Sequence, residues 1–369
     1  MPRELRAIVF YAEDVASWKY LEPVVRQLSS AGRKICYLTS AKDDPILSAP
    51  APNVTAFYIG DGVARTFLFM VLQADVMVMT MPDLETFHIK RSRLHPVHYA
   101  YIFHSMASTH MVYRFGAYDH FDTILCTGPH HVLEIRRQEQ LCGLPAKNLV
   151  EHGYALLDRM MEEDAQRARR PDVRTRILIA PSWDQRGLLG ACGPAFVSAL
   201  LEAGFVVSLR PHPISFRKSA RVIEELRQSF GTRPDFTLEE SVAAQDSLYA
   251  SDLMITDWSG AGMDYAFALE RPVLFIDVPR KVNNPRYLEL NLEPLEVSYR
   301  LEVGAILSPG EATRAPEEIR RLLADPQAFR RKLSALRERF VYNPGRSGEA
   351  GAAALARLAD EVAERMADF

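Results

Sequence analysis

The sequence predicts an α/β protein with two doubly wound parallel sheets and a helical C-terminal tail. Three observations carry that expectation. At 369 residues the chain is long for one domain and suits two of roughly 150 residues each. Short β-branched runs alternate with longer amphipathic stretches from the first residues onward, which is the pattern of parallel strands covered by helices. The alternation stops at a charged, proline-containing break and then starts again.

RAIVFY at 6–11 reads as the first strand, Trp18 to Leu28 as an amphipathic helix that stops at Gly32, and KICYLTS as the second strand. The series continues through VTAFYIG, an apolar helix from Val63 to Gln73, VMVMTM at 76–81, VHYAYIF at 97–103, TILC at 123–126 and a helix after Pro129. LLDRMMEEDAQRARRPDV, with its charges and Pro171, ends this half. RILIAPSW opens the second, followed by a helix at 194–203, FVVSLRPHP at 205–213, a helix at 216–229, LMIT at 253–256 and PVLFID at 272–277. The tail from Pro316 is helical, with an interruption at Tyr342 to Gly348. These runs place an N-terminal Rossmann-like domain at 1–155, a second at 172–340 and a C-terminal helix at 341–369.

Composition narrows the class of protein. With 48% hydrophobic and 25% charged residues the chain is globular rather than disordered, and a net charge of -3 gives no general attraction to nucleic acid. Cys36, Cys126, Cys142 and Cys192 are scattered without metal-ligand spacing, as in a reduced cytoplasmic protein, and no metal or cofactor is expected. The N-terminus lacks a signal-peptide pattern, and no run reaches the roughly 18–20 apolar residues of a membrane span.

Ligands of open α/β sheets sit beyond the carboxyl ends of the strands, so function is sought in those loops. Arg210-Pro-His212-Pro follows FVVSL. An arginine fork and an imidazole on a loop stiffened by prolines suit phosphate oxygens. In ITDWSGAGMDYAFAL, at 255–269, Asp257 ends a strand, and Ser259, Gly260 and Gly262 open a helix. Such a start attracts anions, although a capped, tightly packed turn reads the same way. Nine of the ten histidines lie between His88 and His152. His120, His130 and His131 read as loop or helix-surface residues. His104 ends its strand and is followed by small polar residues, which suits a group that takes a proton near neutral pH.

Two such domains facing each other across a cleft, with a C-terminal helix packing back on the first, is the GT-B plan. The order of motifs is also recognisable: a strand ended by His104, then RPHP, then S-D-x-x-I-T-D-Y/W-S, an Asp-Tyr pair and a strand opening on Arg-Pro. QDSLYASDLMITDWSGAGMDYAFALERPVLFID at 245–277 is the most specific part, and FVYNPGRSGEA at 340–350 closes the series. Over residues 97 to 350 the chain resembles the CDP-glycerol glycerophosphotransferase family, which builds teichoic acids and related polyol-phosphate polymers. Where that family has His-Gly-Ser/Thr-x-x-Lys this chain has His104-Ser-Met-Ala-Ser108, and Trp258 and Gly260 replace a tyrosine and a serine.

The resemblance implies a cytoplasmic transferase, at the inner face of the cell membrane where it touches one. It would take polyol phosphate from CDP-glycerol or a related CDP-polyol to a glycan or lipid-linked acceptor. His104 would be the general base, with Arg210 and His212 on the donor pyrophosphate and His212 also a catalytic group. Ser259 and the Gly260 amide would hold phosphate oxygens, and Asp246 and Asp257 would order the loops. A GT-B glycosyltransferase or nucleotide-sugar epimerase, and a binding module without catalysis, are the alternatives. Members of that family also carry amphipathic membrane-binding segments. Here only GVARTFLFMVLQ, near Lys90, Arg91 and Arg93, suits that task, and a buried helix is the better account of it.

Overall fold

The structure, a computed structural model, describes residues 2–167, 174–183, 186–240 and 246–367. Pro171, the boundary at 172 and Gln245 lie outside them. The chain divides into two compact units: Met1–Arg159 with Asn283–Leu292 and Glu338–Phe369, and Met160–Val282 with Glu293–Arg337.

The first unit holds β1 (Ile8–Ala12), β2 (Ile35–Thr39), β3 (Val54–Tyr58), β4 (Val76–Met79), β5 (His98–Ile102), β6 (Thr123–Cys126) and β7 (Asn148–Glu151). All are parallel, in the order β3-β2-β1-β4-β5-β6-β7. The central strands are buried on both faces, which is why they read as unbroken apolar runs. Val9, Tyr11, Met77 and Met79 pack on one side of the sheet, and Ile8, Phe10, Val76 and Val78 on the other. Helices α1 (Trp18–Ser30), α2 (Gly62–Val71) and α3 (Pro129–Cys142) follow β1, β3 and β6, and α4 (Ala155–Gln166) follows β7.

The second unit repeats the plan with β8 (Arg176–Ile179), β9 (Val206–Leu209), β10 (Phe236–Leu238), β11 (Leu253–Thr256), β12 (Val273–Ile276) and β13 (Gly304–Leu307). These parallel strands lie in the order β10-β9-β8-β11-β12-β13. Its helices are α5 (Leu188–Glu202), α6 (Ser215–Lys218), α7 (Ala220–Phe230), α8 (Asp246–Ala250) and α9 (Ala261–Leu269), followed by further helical segments from Leu295 to Phe340. In both sheets the strand order reverses beside the first strand, between β1 and β4 and between β8 and β11. That reversal is where doubly wound folds bind ligands.

Several elements differ from the sequence reading. β7, β10 and β13 carry no distinct signal because they are short strands at sheet edges, where half the side chains face away from the core. The helix expected at 194–203 begins at Leu188, with its backbone broken at Gly193 (φ 57°). The helix expected at 216–229 is interrupted at Ser219. His131, read as a surface residue, is fully buried and stacks on Phe103 at 3.7 Å, because its ring bonds Thr127 and the Ala107 carbonyl.

α2 is not a buried helix. Only Arg65 and Phe69 point inward, while Val63, Phe67 and Val71 are 73%, 62% and 48% exposed. Their spacing of four puts these three on one face. The inward arginine is accommodated because its guanidinium reaches the Tyr11 hydroxyl (3.2 Å), Ser40 Oγ (3.3 Å) and Glu13 (3.6 Å).

The C-terminal helix Ser347–Ala367 belongs to the first unit and closes one face of its sheet through Leu355, Leu358 and Val362. The preceding segment fixes its start. The Tyr342 amide donates to the Thr127 carbonyl (2.8 Å), Asn343 Nδ2 to the Glu151 carbonyl (2.7 Å), and the amides of Gly345 and Ser347 to the Asp158 carboxylate (2.6 and 2.8 Å). Asp158 is thus a cap supplied from α4. The helix passes so close to its neighbours that a Cβ on Gly351 would stand 2.7 Å from the His152 ring and 2.9 Å from Val24. His152 beneath it is neutral, since burial pulls its pKa down to about 4 against an opposing contact with the Ser347 backbone. Gly351→Leu is expected to force the helix off this face, with a thermal midpoint lower by roughly 5 °C. An unchanged midpoint in a melting experiment would refute the close approach.

Candidate active site

The predicted base lies in the first unit. β5 ends at Ile102 beside β4, which ends at Met79, so His104 lies just beyond the strand ends and its ring reaches Thr80. Its Nδ1 is 2.9 Å from the Thr80 carbonyl oxygen. A carbonyl only accepts, so Nδ1 carries the proton and Nε2 keeps a lone pair. The Tyr113 hydroxyl stands 3.4 Å from Nε2, the Tyr101 hydroxyl 3.2 Å from Nδ1, and Tyr154 donates to the His104 carbonyl at 3.1 Å. Burial holds the imidazole below its usual pKa, and the Thr80 carbonyl partly offsets that shift. His104 is therefore a neutral imidazole of fixed tautomer at pH 7, which is the form a general base needs.

The remaining predicted residues lie in the second unit, most of them at the carboxyl ends of its strands. Asp257, just past β11, is 1% exposed. One carboxylate oxygen accepts the Ser182 amide (2.8 Å) and the other the Leu188 amide (3.0 Å), so this side chain ties the loop after β8 to the end of β11. Thr256 adds a hydroxyl bond to the Ala180 carbonyl (2.6 Å). Both ties span the reversal of strand order.

The turn after Asp257 leads into α9. Ser259 accepts the amides of Ala261 (Oγ, 3.4 Å) and Gly262 (backbone O, 3.2 Å), and the Gly260 carbonyl accepts that of Met263 (3.0 Å). The amides of Ser259 and Gly260 precede these bonds, at the positive end of a nine-residue helix. Trp258 is held by its Nε1–H to the Val278 carbonyl (2.8 Å) and by the Arg300 guanidinium 4.1 Å above its ring. Arg300 itself pairs with Asp277 at 3.0 Å.

RPHP leaves the end of β9. The Arg210 amide donates to the Ile179 carbonyl (2.8 Å), and its guanidinium lies 4.0 Å from Glu239. His212 is exposed and accepts the Ile214 amide at Nδ1 (3.2 Å). Its proton is therefore on Nε2, and the outer face of the ring is a donor. Burial, and then the charge of Lys281, keep it below its usual pKa. Asp246 stands apart: it pairs with Arg167 (3.0 Å) on the first turn of α8, and its side chain is 89% exposed.

Partners of these residues escaped the sequence reading. Thr80, Tyr113, Ser182 and Glu239 belong to other strand ends or loops, Leu188 opens α5, and Lys281 is close enough to His212 for its charge to act on the ring. The one available signal was their position beyond strand ends. Among the described residues, no group of three or more His, Cys, Asp or Glu is placed to hold a metal ion, and no helix is long and apolar enough to cross a membrane.

The sequence profile of a family described as CDP-glycerol:poly(glycerophosphate) glycerophosphotransferase matches residues 93–281, a stretch that includes every site residue above from His104 to Gly260. No curated protein matches the chain. Among solved structures, a histidine-to-asparagine variant of the wall teichoic acid polymerase TagF is 16% identical, with a TM-score of 0.61 over 98% of this chain and 90% of that one. A putative UDP-N-acetylglucosamine 2-epimerase from Listeria monocytogenes is 15% identical, with a TM-score of 0.63 over 97% and 96%. UDP-GlcNAc 2-epimerase from Methanocaldococcus jannaschii is 15% identical, with a TM-score of 0.55 over 95% and 98%. At these identities the structures speak for the fold alone. That fold is α/β, of the GT-B class.

Proposed function

Since the chain belongs to the CDP-glycerol:poly(glycerophosphate) glycerophosphotransferase family, we propose that it moves glycerol phosphate, or a related polyol phosphate, from a CDP-activated donor to a hydroxyl of a glycan or lipid-linked acceptor. CMP is released, and the product belongs to a cell-surface polymer. One observation carries this reading: the two histidines are locked in opposite tautomers. His104 offers a lone pair at Nε2, and His212 offers a proton at Nε2. The first suits a hydroxyl that must lose its proton, the second a phosphate oxygen that gathers charge.

In the proposed reaction His104 Nε2 takes the acceptor's proton while that oxygen bonds to the phosphorus bearing the polyol. The bond from that phosphorus to CMP breaks, and CMP leaves with the electron pair. Charge on the non-bridging oxygens is met by Arg210, His212, the Ser259 hydroxyl and the Gly260 amide. Asp257 serves indirectly, by fixing the turn that carries Ser259 and Gly260 to the loop after β8. Asp246 orders the start of α8 through Arg167, an exposed pair whose contribution is small.

The test is CMP release from CDP-glycerol by purified protein with lipid-linked and glycan acceptors. CDP bound without turnover would instead favour a binding module, and preference for UDP over CDP a sugar-nucleotide enzyme.

The membrane contact proposed with this function rests on α2. Its outward face is apolar, and the Arg93 amide donates to the Met70 carbonyl (2.7 Å), which sets that arginine, 61% exposed and paired with Glu85 at 3.1 Å, beside the end of the helix. An exposed apolar face of a helix fits a lipid surface. Phe67→Asp is expected to lower association with phosphatidylserine-containing vesicles about tenfold or more. Equal co-sedimentation of variant and parent would rule this face out.

A further inference from the structure

The nitrogen on which the proposed reaction turns is already engaged. Nδ1 of His104 is committed to the Thr80 carbonyl, and the Tyr101 hydroxyl, at 3.2 Å, shares that side of the ring. Tyr20 meets the imidazole only ring to ring, at 6.0 Å between centres. Among the described residues, the one hydrogen-bonding group within reach of Nε2 is the Tyr113 hydroxyl, at 3.4 Å. Nε2 has no proton of its own, so Tyr113 is the donor across that gap. The distance is long for such a bond, as is common at catalytic groups before substrate tightens them.

The fold fixes Tyr113 in two ways. The three carbonyls before it are tied to the segment Asn283–Leu292, which belongs to the same unit. Asn284 Nδ2 donates to the His110 carbonyl (2.8 Å), the amides of Asn283 and Asn284 to the Met111 carbonyl (3.1 and 3.2 Å), and Asn283 Nδ2 to the Val112 carbonyl (2.9 Å). The residue is 9% exposed, and its ring packs edge-on against Phe103, His104 and Tyr118, with centres 6.4, 5.7 and 5.4 Å apart. A phenol donates one proton and accepts through two lone pairs. A hydroxyl that donates to Nε2 can therefore accept from a second oxygen at the same moment.

We propose that Tyr113 is a further catalytic residue, which relays the proton of the acceptor hydroxyl to His104. The acceptor's proton passes to the Tyr113 oxygen as the Tyr113 proton passes to His104 Nε2. The acceptor oxygen bonds to phosphorus, and CMP leaves with the electron pair of the broken P–O bond. Tyr113 ends neutral and His104 ends as imidazolium, so a phenol with an ordinary pKa of about 10 never has to exist as phenolate. The acceptor then need not reach the half-buried imidazole itself. The proposal rests on the reading of His104 as the base and adds the group that delivers its proton.

Tyr113→Phe keeps the ring and removes the hydroxyl. Turnover of CDP-glycerol by the full chain is expected to fall about 10²-fold, with CDP affinity unchanged within a factor of about two. Rates in mixtures of H2O and D2O give a readout that a packing role would not move. The unaltered protein should show a curved dependence on deuterium content, from two protons in flight, and the variant a straight line. Unchanged or faster turnover in the variant overturns the relay, as does a straight line for both proteins. Nitrogen NMR of His104 tests the contact without turnover. The Nε2 signal should move downfield once Tyr113 no longer donates to it, and an identical signal in both proteins overturns the proposal whatever the nucleotide donor. If the signal moves but the unaltered protein releases no CMP, the reading of His104 as base fails and the relay falls with it.

Discussion

His104→Asn is expected to reduce turnover about 10²–10⁴-fold while leaving CDP affinity within a factor of two or so. The asparagine amide can still donate to the Thr80 carbonyl, so local packing is largely kept, but no lone pair of comparable basicity replaces Nε2. The pH profile provides a second readout. Because burial lowers the pKa of His104, the neutral base persists below pH 6.5, and the acid limb of kcat/KM should lie below that value rather than at it. Activity falls as pH drops through the folded-state pKa. The stability contribution has the same sign: the unfolded chain takes up the proton first, so stability is lost as pH falls below about 6.5. Full turnover in the variant, or an acid limb above pH 7, would remove His104 from the role of base.

Asp257→Asn should be the most damaging conservative change in the second unit. Both carboxylate oxygens accept a backbone amide in a place closed to water, and the amide side chain keeps only one acceptor. Its NH2 then confronts either Ser182 or Leu188 and leaves a buried donor unsatisfied. The expected cost is about 2–4 kcal/mol, with a thermal midpoint lower by roughly 5–10 °C. CDP affinity should fall as well, since the tie crosses the reversal of strand order beside the proposed phosphate groups. A variant that melts within a degree of the parent would show that Asp257 does not hold these loops together.

How far the sequence reveals this depends on what each signal encodes. β1, β4, β5, β9, β11 and β12 were legible because burial demands a nearly unbroken apolar run, and the ends of β5, β9 and β11 located His104, RPHP and Asp257. Edge strands such as GAIL, opening on Gly304, meet no such demand. For α2 the apolar run pointed to a buried helix, but such a run cannot say which face turns inward, and Val63, Phe67 and Val71 turn out. Arg65 turns inward because Tyr11, Ser40 and Glu13 wait for it, and that depends on two other strand ends. The tautomers of His104 and His212 were equally hidden. One is set by a carbonyl 24 residues earlier and the other by an amide two residues later, and neither partner has a side-chain signature.

The closing of the first sheet by Ser347–Ala367 also bears on how the protein is made. All seven strands of that sheet have left the ribosome by Glu151, yet the helix that covers one of its faces is synthesised almost two hundred residues later. At about 5–20 residues per second, the part of that face that α1 does not cover stays bare for roughly 10–40 s while the whole second unit emerges and can fold. A nascent chain of this design presents a long-lived apolar surface to chaperones. A chain cut short by premature termination would keep that surface, marking itself for proteolysis.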